Sequence, residues 1–171
     1  MTLTEIIVAV VLVQRLAEQW YAQYNTKRLM EAGGVEYGLD HYPYIVMVHA
    51  AWIAALVLLV PPDAPVDWYW LSAYIVLQIA RAWVMVSLGR FWTTRIIAMP
   101  NAPLVRTGPY RFFRHPNYMV VAGEILVLPM AFGQVWIAAA FTLLNAAILY
   151  ERIRVEEEAL APRRALTRPE S

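Results

Sequence analysis

Apolar residues in this chain gather into five runs, and the polar residues between them fall into a few short, chemically distinct stretches. The first run, Leu3 to about Tyr21, is about 20 residues long and reads as a membrane-crossing helix. Gln14, Arg15 and Glu18 make its second half amphipathic. Arg15 and Glu18 share a helical face and can pair, or Arg15 can reach an interface along its aliphatic stem. A polar connection, Tyr24 to Tyr42, follows, with Gly33-Gly34 marking a turn and His41 standing before Tyr42-Pro43 as a helix cap. This connection reads equally as a ligand-touching loop and as a solvated one.

Pro43 to Val60 is the second run, closed by the proline-rich acidic turn Pro61 to Asp67. The third, Trp68 to Leu88, opens on the aromatic belt Trp68, Tyr69 and Trp70. Arg81 lies well inside it, where a charge costs about 2.5–3.5 kcal/mol on insertion scales and needs a partner or a watery cavity. After the basic loop Gly89 to Asn117, two apolar runs, Tyr118 to Phe132 and Val135 to Tyr150, are separated only by Gly133 and Gln134, the pattern of a helical hairpin. Glu124 and Asn145 stand at comparable depths in its two arms, as a hydrogen-bonded staple or as a ligand-facing carboxylate and its neighbour.

These runs predict an all-α integral membrane protein of about five transmembrane segments, folded as one domain over residues 1–171. Within it, residues 1–88 hold three N-terminal segments, residues 89–160 the basic loop, hairpin and Glu-rich helix end, and residues 161–171 a tail. Composition agrees: 60% of residues are hydrophobic and the mean hydropathy is +0.47, beyond the range of a soluble domain. Cysteine is absent, which removes thiolate nucleophiles, disulfides and cysteine metal sites. Met1-Thr-Leu-Thr-Glu5, ahead of the apolar stretch Ile6 to Val13, carries no Lys or Arg and no small-residue cleavage site follows that stretch, so it is expected to stay in the protein.

The net charge of +1 says little until the charges are placed. Lys and Arg number two in the first loop, none in the Pro61 to Asp67 turn, five in the basic loop and five in the tail. The positive-inside rule then puts the N-terminus outside and the first loop, basic loop and tail together on the cytoplasmic face.

The chemistry concentrates in Arg106-Thr-Gly-Pro-Tyr-Arg-Phe-Phe-Arg-His-Pro-Asn-Tyr118. Pro109 and Pro116 keep Gly108 and His115 out of helices, and Pro116 suits the first turn of the following one. Arg111, Arg114 and His115 therefore stand near a helix N-terminus, a place that favours an anionic ligand group. Beyond Tyr150, Arg152 with Glu156 and Arg154 with Glu158 have the i, i+4 spacing of same-face pairs on a helix continuing the last run.

Gly108-Pro-Tyr-Arg-Phe-Phe-Arg-His-Pro-Asn-Tyr118, an apolar hairpin, and Arg152-Ile-Arg-Val-Glu-Glu-Glu-Ala-Leu160 together resemble the isoprenylcysteine carboxyl methyltransferase family from about Leu88 to Leu160. The resemblance implies an integral membrane enzyme using S-adenosylmethionine, with Arg114, His115, Pro116, Tyr118, Glu156 and Glu157 in the cofactor pocket. It implies Arg152 as the catalytic arginine, with His115 and Glu156 beside it, and we assign Trp92, Arg81 and Glu124 to the acceptor side. Val120 replaces a family glycine, and the tail lacks the aromatic, glycine-containing extension of isoprenylcysteine enzymes. Leu88 to Arg95 and the first loop look more like the small bacterial members. That subgroup implies a lipophilic acceptor drawn from the bilayer, such as an alkylpyrone or alkylresorcinol hydroxyl, at the inner membrane, with neither metal nor nucleic acid. Arg-His-Pro-Asn-Tyr also occurs in NADPH-dependent sterol-type reductases, where the resemblance expects a Gly-Glu pair within three residues of the tyrosine; here Val120 and Val121 follow and Glu124 comes later. Phospholipid N-methylation, and a non-catalytic membrane scaffold or small transporter in which Arg81 and Glu124 line a path, are the remaining readings.

Overall fold

The computed structural model describes residues 1–100 and 102–165, with side chains through Pro162. Arg168 and the side chains of Arg163 and Arg164 in the basic tail lie outside the described residues. Its helices are α1 (Leu3–Glu31), α2 (Tyr42–Leu59), α3 (Trp68–Leu88), α4 (Pro116–Ala131) and α5 (Val135–Ala165). Two strands, β1 (Val35–Tyr37) and β2 (Ile96–Ala98), pair antiparallel with Glu36 opposite Ile97.

Three helical stretches are long and apolar enough to cross a membrane by length and composition: Tyr42–Leu59, Trp68–Phe91 and Val135–Pro162. Leu58, Val86 and Leu143 project from them unburied, as lipid-facing side chains do. α4, with 16 residues, is shorter. The protein is thus a mostly helical membrane bundle, with one small sheet that its sequence pattern does not announce.

α1 does not stop near Tyr21 but continues to Glu31. Ala22, Asn25 and Leu29 recur at helical spacing on its buried side, so the extra turns have a face to pack. Thr2 and Glu5 form a reciprocal capping box at its start, and Thr2 and Thr4 hydroxyls donate to the carbonyls of Pro62 and Ala64. The turn before α3 is held in turn by Asp67, whose backbone N–H donates to Ala131 O at 2.8 Å and whose carboxylate caps Tyr69 and Trp70. The start of α1, the Pro61–Asp67 turn and the hairpin turn therefore share one end of the bundle. The first loop, the basic loop and the far end of α5 share the other.

Gln14, Arg15, Glu18, Gln78, Arg81 and Glu124, from three of the apolar runs, meet in one place. Glu18 of α1 accepts from Arg81 of α3 at 2.7 and 2.6 Å, and Glu124 of α4 accepts from Arg81 at 2.9 Å. Arg15 pairs with Glu18 and with Glu124, both at 2.9 Å. Gln78 donates to Glu124 at 2.7 Å, and Gln14 bridges Gln78 and Glu18. Two arginines and two glutamates thus cancel inside the bundle, the arrangement that makes buried charge tolerable. Arg81 has the partners that its depth demands. Arg15 points inward rather than toward an interface. The Glu124–Asn145 staple does not form, because Glu124 is turned toward α1 and α3; Asn145 Oδ1 is buried with no hydrogen-bond partner among the described residues.

The α3–α4 contact explains Val120. Val120 is buried against Ala22, Val84 and Trp92, so its side chain fills space between helices. The close approach of the two helices falls instead at Gly123, where an added Cβ would lie 3.0 Å from Leu77.

Candidate active site

Between α3 and α4 the chain forms a loop tied down at several points. Asn25 donates to Trp92 O at 2.9 Å, and the Trp92 ring stacks on Tyr21 at 5.8 Å. Arg95 pairs with Glu36 of β1 at 2.9 Å and lies 4.8 Å over the Tyr42 ring. The first connection thus begins as the last turns of α1 and supplies β1 and the anchors Glu36 and Tyr42, and His41 precedes α2 without making a side-chain cap. Further along, Gly108 takes φ +57, and a Cβ there would sit 2.0 Å from Ser87 Oγ and 3.0 Å from Trp83 Nε1. Only glycine lets this turn lie against α3. His115 then occupies the N-cap position of α4, with Pro116 in its first turn.

This places the Arg-His-Pro segment against α5. His115 Nε2 lies 2.7 Å from Glu157 Oε1, and Nδ1 lies 3.9 Å from Glu156. The imidazole stacks on the Tyr118 ring at 5.6 Å with 14° between planes. Arg152 Nε donates to the Tyr118 hydroxyl at 2.9 Å, and that hydroxyl donates in a short hydrogen bond to Glu156. Arg152 Nη2 donates to the carbonyl of Thr94 at 2.7 Å. The expected Arg152–Glu156 pair is thus bridged by Tyr118, whereas Arg154 and Glu158 pair directly at 2.9 Å on the exposed face.

Of these groups, His115, Tyr118, Arg152 and Glu156 border a cavity of about 640 Å³, within the range of roughly 300–1,000 Å³ typical of small-molecule sites. Arg114, His115, Asn117, Tyr118, Arg152 and Glu156 form its polar wall, and Leu88, Phe91, Trp92, Ile97, Leu104 and Val105 give it an apolar one. Trp92 Nε1, His115 Nδ1 and Asn117 Oδ1 are buried without a hydrogen-bond partner among the described residues, and all three residues line this cavity. Unsatisfied buried polar atoms are costly, and a polar ligand reaching these three would complete their bonding. Burial, and then the Glu156 carboxylate, push the Tyr110 phenol above its ordinary range, so it remains a neutral hydroxyl beside the cavity.

The sequence-derived site residues divide in two. His115, Tyr118, Arg152, Glu156 and Glu157 meet as one bonded group, Arg114 and Trp92 stand in the cavity wall, and Pro116 is buried behind it. Arg81 and Glu124 do not border this cavity; their charges are engaged with Glu18 and Arg15. Asn117 and Tyr110 were legible within the motif itself. Thr94 and Tyr42 were not, because Thr94 reaches Arg152 through its backbone and Tyr42 reaches Thr94 only through folding.

Residues 70–162 match the isoprenylcysteine carboxyl methyltransferase (ICMT) family. The chain is also 37% identical over 159 residues to a Bacillus subtilis (strain 168) protein named "Uncharacterized protein YpbQ", covering 91% of this chain and 95% of that one. No solved structure matches the chain.

Proposed function

The chain belongs to the isoprenylcysteine carboxyl methyltransferase family, a family of membrane methyltransferases, and from that premise we propose that it uses S-adenosylmethionine to methylate an oxygen of a lipophilic acceptor. The observation that carries this reading is the meeting of His115, Tyr118, Arg152 and Glu156 at one cavity with three buried, unsatisfied polar atoms on its lining residues.

The residues present fit the cofactor. Arg114 and His115 suit its carboxylate, Glu156 and Glu157 suit its ammonium and ribose hydroxyls, and the aromatic side chains that line the cavity suit its adenine. When bound, S-adenosylmethionine supplies a sulfonium-activated methyl group. The chain's own residues then have to orient the acceptor and keep water out. Arg152 brings a fixed positive charge to the cavity and steadies a carboxylate or phenolate oxygen. For a hydroxyl acceptor, Glu156 takes the proton as the oxygen is methylated.

The apolar wall supports an acceptor whose ring or carboxylate reaches the cavity while its tail stays in lipid. A long-chain alkylpyrone or phenolic hydroxyl fits, as does an isoprenylcysteine-like carboxylate. The distribution of Lys and Arg supports a cytoplasmic-facing site in a bacterial inner membrane, with the N-terminus outside.

Incubating membranes that contain the protein with methyl-labelled cofactor, then separating the lipids, tests this. Label in an ether or ester methyl of a non-phosphorus lipid is expected. Label confined to phospholipid headgroups would replace the reading with N-methylation, and no label beyond membranes lacking the protein would remove it.

A further inference from the structure

Arg152 is not held by its own helix alone. Its Nη2 donates to the Thr94 carbonyl at 2.7 Å, and Thr94 belongs to the loop that precedes β2. The Thr94 hydroxyl meets the Tyr42 hydroxyl at the start of α2, 3.1 Å away. Next to it, Arg95 lies over the Tyr42 ring and pairs with Glu36. Two adjacent residues of one loop are thus fixed from the first connection, and the carbonyl between those anchors faces the arginine.

The geometry points to Tyr42 and Thr94 as positioning residues for Arg152, set by the β1–β2 clamp, so that the first connection controls the orientation of the guanidinium in the cavity. This rests on the methyltransferase reading for its catalytic consequence, but not for the positioning itself. A guanidinium is planar, and its Nε and Nη2 are held by two elements, Tyr118 of α4 and Thr94 of the loop. With both bonds made, the plane of the group is fixed; with one lost, it rotates about the other. Tyr42 does not itself line the cavity; its ring lies under Arg95, which does, while its hydroxyl reaches Thr94, so loss of the hydroxyl alone acts through Thr94.

The test uses full-length protein in detergent with ¹⁵N-labelled arginine. The Arg152 Nε–H signal is assigned by its absence in Arg152→Lys. In Tyr42→Phe, which keeps the ring under Arg95, this signal is expected to shift and broaden, while the Arg81 Nε–H signal, held by Glu18, stays in place. Thr94→Ala repeats the effect and Thr94→Ser recovers the parent spectrum. In parallel, methyl transfer in Tyr42→Phe falls about 10-fold or more, as small misplacements of a catalytic group do, with cofactor affinity within about twofold of the parent. An Arg152 signal unmoved in both Tyr42→Phe and Thr94→Ala overturns the proposal. If the parent protein fails to bind S-adenosylmethionine, the methyltransferase reading fails while the arginine signal still decides the positioning.

Discussion

Arg152 and Glu156 stand one helical turn apart on α5, yet they communicate through a residue of α4: the Tyr118 hydroxyl accepts from Arg152 Nε at 2.9 Å and donates to Glu156. A hydroxyl can serve both charges at once because it carries one donor and an acceptor oxygen. The motif tyrosine thereby sets the distance between the cationic and acidic ends of the site.

Removing that hydroxyl is the first prediction. Tyr118→Phe keeps the ring stacked on His115 but frees Arg152 and Glu156 to approach each other. Hydrogen bonds to charged groups contribute about 1.5–3 kcal/mol, so methyl transfer is expected to fall about 10-fold to 100-fold. Single-turnover rates measure this, and a parent-like rate would exclude the bridge from catalysis.

The buried charge cluster predicts a different phenotype. Glu124→Ala leaves Arg81 and Arg15 short of a counter-charge inside the bundle, and breaking such a group typically costs about 3–5 kcal/mol. A large drop in thermal midpoint in detergent is expected, with cofactor affinity unchanged in the protein that remains folded. A change in affinity without loss of stability would return Glu124 to the site.

Gly108 supplies a steric prediction. Gly108→Ala places a Cβ 2.0 Å from Ser87 Oγ at a backbone angle of φ +57. The left-handed conformation alone costs roughly 1–2 kcal/mol. Thermal stability should fall, and Ser87→Ala in the same chain should restore part of it but not all.

Tyr110 gives a pH dependence. Its raised phenol pKa means that the folded protein holds this proton more tightly than the unfolded chain does. The stabilising contribution is fully present below the ordinary phenol value of about 10 and is lost as pH rises toward the higher folded value. Between about pH 8 and about pH 11, the thermal midpoint of Tyr110→Phe should therefore fall less than that of the parent.

Much of this architecture is legible in the chain, but unevenly. The Gly133-Gln134 break marks the hairpin turn, and the Arg/Glu spacing after Tyr150 announces a helix that runs on to Ala165. Both are local signals, set by turn chemistry and by i, i+4 periodicity. β1 and β2 have three residues each and pair across about 60 positions, so neither shows an alternating pattern long enough to read. The partners of Arg81 lie on α1 and α4, and depth along a hairpin does not say which way Glu124 faces. His115, Tyr118, Arg152 and Glu156 were legible because two motifs name them. Thr94 acts through a carbonyl that every residue type carries.

The most direct measurement is calorimetric titration of the detergent-solubilised protein with S-adenosylmethionine, alongside NADPH, for the parent, His115→Ala and Glu156→Ala. The account predicts saturable binding of S-adenosylmethionine to the parent, at least about 10-fold weaker binding to each variant, and no binding of NADPH. Binding of NADPH alone, or S-adenosylmethionine binding that both substitutions leave intact, would contradict it.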